Sequence, residues 1–326
     1  MHRFKLNCFQ LIAGAVSSAL ALSASAKEFR SADTHPLDYP TVQAVLHMGK
    51  LIEERSKGRH SIKMFPSSQL GQEKDTIEQT KLGAIDLNRV NMGPFNNIVP
   101  ETVVPSMPFV FRSVEHMRKV VDGPIGDDIL KSFEAHGFVG LAFFDSGARS
   151  FYNSKKPIRT VDDLKGMKIR VQQSDLFVDT MRALGANATP MPFGEVYTSL
   201  KTGVIDGAEN NWPSYESTKH FEVAKFYSIN EHSMSPEVLV MSKRSWDALS
   251  AEDQAIVRSA AKDSVKVMRD LWDAREKSAR EKVIAGGAQI NTVDKVPFID
   301  AMRPVYEKYL KDEKLRALLK RIQDTK

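Results

Sequence analysis

Apolar positions at Val42, Val45, Leu46, Gly49 and Ile52 recur at helical spacing and predict a helix over 42–57, stopped by Gly58. A second helix is expected over 73–82, again closed by a glycine, Gly83. Short apolar or alternating runs predict strands at 28–33, 62–65 and 85–91. The second half repeats the theme. Strands are expected at 138–145, 149–153 and 168–171, helices at 175–184 and 194–202, and a further strand within 204–210. Residues 251–285 carry charge on most faces and no proline, which predicts one long helix spanning both halves. Alternation of strand and helix argues for parallel α/β sheets. An internal echo, Lys81-Leu-Gly-Ala-Ile-Asp86 against Lys201-Thr-Gly-Val-Ile-Asp206, suggests two related lobes.

The N-terminus departs from this alternation. A basic MHRFK start, an apolar run over 11–22 and Ala24-Ser25-Ala26 predict a cleaved signal peptide over 1–26, with the mature chain beginning near Lys27. The apolar run is too short for a convincing membrane span. The single cysteine, Cys8, falls in the leader, so disulfides and thiol catalysis are excluded from the mature chain. Only Arg3 and Lys5 of the 46 basic residues lie there, against 41 acidic residues, so the remainder is mildly basic with interspersed charge. That pattern argues against a nucleic-acid partner. No metal or cofactor is expected. His-Glu-x-x-His and Gly-x-Ser-x-Gly are both absent. A secreted carbohydrate-active hydrolase with two carboxylates is the rival class, because such pairs have no fixed spacing.

Ligands of open α/β sheets bind outside the carboxyl ends of the strands. That rule collects His35 after the first strand, Glu73 after the second, Arg89 and Asn91 at the third, and Arg149, Arg170, Asn210 and Trp212 from the second half. Guanidiniums, amides, one carboxylate, an imidazole and an indole suit a polyhydroxylated carboxylate. Each has an ordinary alternative. Arg149 or Arg170 could pair with Asp145, Asp162 or Asp163, and Glu73 could favour a helix N-terminus. His35 could be a loop residue, Asn210 and Asn211 could shape a turn, and Trp212 and Tyr215 could be core aromatics. Whether Asp38 and Asn211 touch ligand or brace the loops stays open.

The strings PSSQLGQE, GARSFYNS, DLKGMKIRV, TPMPFGEVYTSLKTGVIDGAENN and STKHFEVAKFY resemble the solute-binding subunits of tripartite ATP-independent periplasmic (TRAP) transporters. The resemblance covers essentially the whole mature chain. It implies a two-lobed α/β periplasmic solute-binding fold with crossing strands and a long helix spanning the lobes. Residues 27–150 are expected mainly in lobe 1 and 151–240 mainly in lobe 2, with 241–326 forming the long helix and helices packed across both. By the same resemblance Arg170 salt-bridges the solute carboxylate, Arg149 assists from an adjacent strand, and Asn210 contacts solute. The opening ADTHPLDYPTV resembles the subgroup that takes hexuronates such as glucuronate and galacturonate, with His35 and Glu73 meeting hydroxyls. The extra guanidinium of Arg89 could instead mark a C4-dicarboxylate or other organic acid. A monomer, a sugar-acid solute, TRAP permease partners and a periplasmic location complete the expectation.

Overall fold

The computed structural model describes residues 26–326; the leader reading lies, but for Ala26, outside the described residues. The strands are β1 (Lys27–Ala32), β2 (His60–Phe65), β3 (Leu87–Asn91), β4 (Phe138–Phe144), β5 (Arg149–Asn153), β6 (Lys168–Val171), β7 (Asn187–Pro190), β8 (Gly207–Asn210), β9 (Phe226–Ser233), β10 (Glu237–Ser242) and β11 (Gln289–Thr292). They form two sheets, in the orders β2-β1-β3-β10-β4 and β11-β9-β5-β8-β6-β7. The chain passes between them three times, through 145–148, through 234–236, and through the helical stretch 243–288 that leads from β10 to β11. β10 therefore returns to the first sheet just ahead of residue 240.

Both sheets are mixed, which corrects the expectation of parallel ones. β1, β2 and β3 run parallel, but β10 enters antiparallel between β3 and β4. β5 is antiparallel to β8 and β9, while β6 is parallel to β7 and β8. The sheet order also places β8 between β5 and β6, so Arg149 and Arg170 do not come from adjacent strands. The two short crossings arrive directly from the opposite lobe, and β5 and β10, which they deliver, run against their neighbours, whereas β11 joins β9 parallel.

Local sequence explains the helices that frame the cleft. Helix Pro40–Arg55 starts with proline at its first position, where no amide donor is lost. It buries Val42, Val45, Met48 and Ile52 against the first sheet. A Cβ at Gly49 would lie 3.1 Å from Ile62 Cβ, so the glycine permits close helix–strand contact. Helix Glu73–Leu82 begins where Asp75 accepts the Gln72 backbone N–H at 3.1 Å, and ends on left-handed Gly83 at φ 82°.

The long helix is Ala251–Ala285, capped by Ser250, whose hydroxyl accepts the Asp253 N–H at 3.1 Å. At about 1.5 Å per residue it extends roughly 50 Å. Val257, Ala260, Met268 and Trp272 join the core of the first lobe, and Ala279 and Val283 join that of the second. Among the described residues no helix is long and apolar enough to cross a membrane.

Candidate functional site

The parallel strands β1, β3, β6 and β8 end where the antiparallel strands β5 and β10 begin, because Glu237 pairs with Asn91 and Ser150 with Asn210. One edge of each sheet thus faces the other. Between them lies a narrow cleft lined by Thr34, His35, Glu73, Arg89, Asn91 and Glu237 from the first lobe. Arg149, Arg170, Gln172, Phe193, Asn210 and Ser214 line it from the second. Seven of the eight residues read from sequence meet here. Trp212 does not: it stacks on Tyr227 at 3.8 Å in the core of the second lobe, the ordinary role for a buried indole.

The three arginines are all buried but have different partners. Arg89 donates through Nε to Asp33 Oδ2 at 2.9 Å and through Nη2 to Asp33 Oδ1. It also donates to Thr34 Oγ1 at 3.0 Å and to Glu237 Oε2 at 2.7 Å, with Glu73 Oε1 3.7 Å away. Against the lowering effect of burial, these acids hold its pKa well above the ordinary value. Arg149 donates to both oxygens of the Glu209 carboxylate, at 2.6 and 2.8 Å, and to the Glu209 backbone carbonyl. One of its two Nη1 donors reaches Asn210 Oδ1 at 2.9 Å. Burial would raise the Glu209 pKa, but Arg149 and His232 draw it down to about 2.

Arg170 is different. Its Nε and Nη2 donate only to the Met191 carbonyl, at 3.0 and 2.8 Å, and among the described residues no carboxylate lies within 4.0 Å. Burial lowers its pKa below the ordinary guanidinium value, yet the group stays charged. The Phe193 ring covers it at 5.9 Å. Asp145, one of the partners considered for it, instead pairs with Arg118 and Arg269.

Around this charge stand groups suited to hydroxyls. Asn210 Oδ1 accepts from Arg149 and from the Asn211 N–H, which leaves its amide nitrogen as the free end of the side chain. His35 stacks on Tyr39 at 3.8 Å, and its Nδ1 has no hydrogen-bond partner among the described residues. Burial, reinforced by the charges of Arg89 and Arg149, holds its pKa well below the ordinary value, so the ring is neutral and offers one donor and one acceptor. Glu73 accepts the Asn91 N–H at 3.2 Å. Burial raises its pKa, partly offset by Arg89. Asn91 is already engaged: its Oδ1 caps the helix Met92–Phe95, and its Nδ2 donates to Ser235 O and Glu237.

Sequence reasoning missed Thr34, Gln172, Phe193, Ser214 and Glu237. Glu237 occupies the first position of an antiparallel strand, where a rule about carboxyl ends does not look. Gln172 directly follows β6, and its Oε1 is buried without a partner. Asp38 and Asn211 both brace. Asp38 pairs with Arg275 at 3.1 Å, and Asn211 caps the helix Trp212–Ser217 while donating to Ser146 O at 2.8 Å.

A cleft between two α/β lobes, holding one buried cation without an acidic partner, defines a solute-binding protein for an organic anion. Residues 31–312 match the family described as bacterial extracellular solute-binding protein, family 7. The chain belongs to that family, whose members bind solutes rather than transform them. A TRAP periplasmic solute-binding protein from Bradyrhizobium, crystallised with α/β-D-galacturonate, is 63% identical with a TM-score of 0.91, covering 92% of this chain and 100% of that one. A TRAP protein from Pseudomonas putida, crystallised with D-glucuronate, is 45% identical with a TM-score of 0.89, over 91% of this chain and 97% of that one. A solute-binding protein from Chromohalobacter salexigens is 42% identical over 311 residues, 95% of this chain and 93% of that one.

Proposed function

We propose that the protein captures a hexuronate, D-galacturonate or D-glucuronate, in the periplasm and delivers it to TRAP permease subunits in the membrane. The observation that carries this reading is the buried Arg170 guanidinium with no acidic partner among the described residues. Its remaining donors face the cavity and suit a solute carboxylate. Asn210, His35, Gln172 and Glu73 then meet the ring hydroxyls, and Phe193 packs against an apolar sugar face. Arg149 holds Asn210 in place, with four of its five donors taken by Glu209 and Asn210, and its one remaining Nη1 N–H is available to assist at the carboxylate. Arg89 commits four of its five donors to Asp33, Glu237 and Thr34, with Glu73 beside the fifth, which weakens the case for a dicarboxylate.

Titration calorimetry of the chain from Lys27 tests the reading. Galacturonate or glucuronate is expected to bind, while glucose, galactose and succinate give at least about a hundredfold weaker binding, worth about 2.7 kcal/mol. Tight succinate binding, or no binding of either hexuronate, would overturn it.

A further inference from the structure

The cavity is electrically lopsided. On the second lobe Arg149 is neutralised by Glu209, so Arg170 leaves one positive charge. On the first lobe a single cation, Arg89, faces three acids: Asp33, Glu237 and Glu73. Four of its five N–H donors are taken by Asp33, Glu237 and Thr34, and Glu73 stands beside the fifth. Glu73 receives only the Asn91 N–H, on Oε1; its Oε2 has no hydrogen-bond partner among the described residues. Both Glu73 and Glu237 line the cavity. The first lobe therefore presents acceptors to the end of the solute far from Arg170. Hydroxyl groups can donate to them, whereas a second carboxylate would meet like charge and no free cation.

We infer that Glu73, backed by Glu237 and Asp33, restricts the site to sugar acids with one carboxylate and excludes those oxidised at both ends. This rests on the hexuronate reading and adds a rule about the opposite end of the molecule. Such repulsion sets specificity by penalising the wrong solute, not by improving contacts to the right one. Glu73 is the member able to change the balance, since Asp33 and Glu237 are tied directly to Arg89. Its raised pKa has the same origin: a buried carboxylate with Glu237 nearby and only partial relief from Arg89, Asn91 and Arg170.

The test compares two open-chain acids of one sugar, the aldonate with a single carboxylate and the aldarate with two. Each is used to displace bound galacturonate from the protein in calorimetry. In the wild type the aldarate is expected to compete about a hundredfold less well than the aldonate. Glu73→Gln, which keeps the shape and removes the charge, is expected to narrow that gap tenfold or more, as about 1.4 kcal/mol of relief would do. Equal competition in the wild type overturns the inference, as does an unchanged gap in the variant. Where the wild type takes neither acid, the variant decides: gain of aldarate binding supports the inference and continued rejection overturns it. Should Glu73→Gln fail to fold, Glu73→Ala replaces it, and an unchanged gap in that variant overturns the inference. A wild type that binds neither galacturonate nor glucuronate would refute the hexuronate reading, a separate outcome.

Discussion

Arg149 and Arg170 are equally buried, yet the first lies against Glu209 and the second against a backbone carbonyl. Truncating one partner of a buried pair strands the other charge. Arg149→Ala leaves Glu209, fully buried, with only His232 nearby at 3.3 Å. Urea denaturation is expected to register a loss of about 3–5 kcal/mol for this variant. Arg170→Ala removes a buried cation that has no acid to strand, so its unfolding free energy should stay within about 1 kcal/mol of wild type. Equal destabilisation by both would show that the two guanidiniums are not divided into a structural and a ligand-facing one. The sequence showed that each arginine sat in a strand. It could not show which of them the fold had already paired, because Glu209 lies 60 positions from Arg149.

Elements built from local spacing were legible. Helices Glu73–Leu82 and Ala251–Ala285 and strands β5 and β6 fall on their expected residues, since periodicity, glycine stops and caps are carried by neighbours in the chain. The echo around Gly83 and Gly203 is structural as well. Asp86 Oδ2 accepts the Arg30 N–H at 2.8 Å, and Asp206 Oδ2 accepts the Lys168 N–H at 2.9 Å, each locking a helix–glycine–strand junction to the next parallel strand. What local reading could not supply is the insertion of β10 between β3 and β4, and with it Glu237. One short element carries a further expectation. In helix Met92–Phe95, a Cβ at Gly93 would stand 1.9 Å from Gln172 Oε1 and 3.1 Å from the Phe177 ring, both across the cleft. Gly93→Ala should therefore weaken hexuronate binding at least about tenfold, or 1.4 kcal/mol, by obstructing closure. Its thermal midpoint without ligand should barely move. Unchanged affinity would mean that the lobes close without this contact.

At the scale of the molecule the lobes meet around the cavity through few direct bonds. Tyr39 and Ser214 hydroxyls are 3.0 Å apart, the Gly194 N–H donates to Gln72 at 3.2 Å, and Ser174 donates to Asn96 at 2.7 Å. On the long helix, Arg275 ties Asp38 of the first lobe to Glu216 of the second. Polar contacts this few across the cleft mouth are expected to leave the open–closed balance responsive to the solute, which favours closure by touching both sides. Under the proposed function, Arg170 supplies the charge to which the solute answers. The most direct measurement is the dissociation constant of galacturonate for the wild type and for Arg170→Ala, by calorimetry at one pH and salt concentration. The account expects the variant to lose roughly 2–5 kcal/mol of binding free energy while remaining folded. A folded Arg170→Ala protein that binds galacturonate as tightly as the wild type would contradict it.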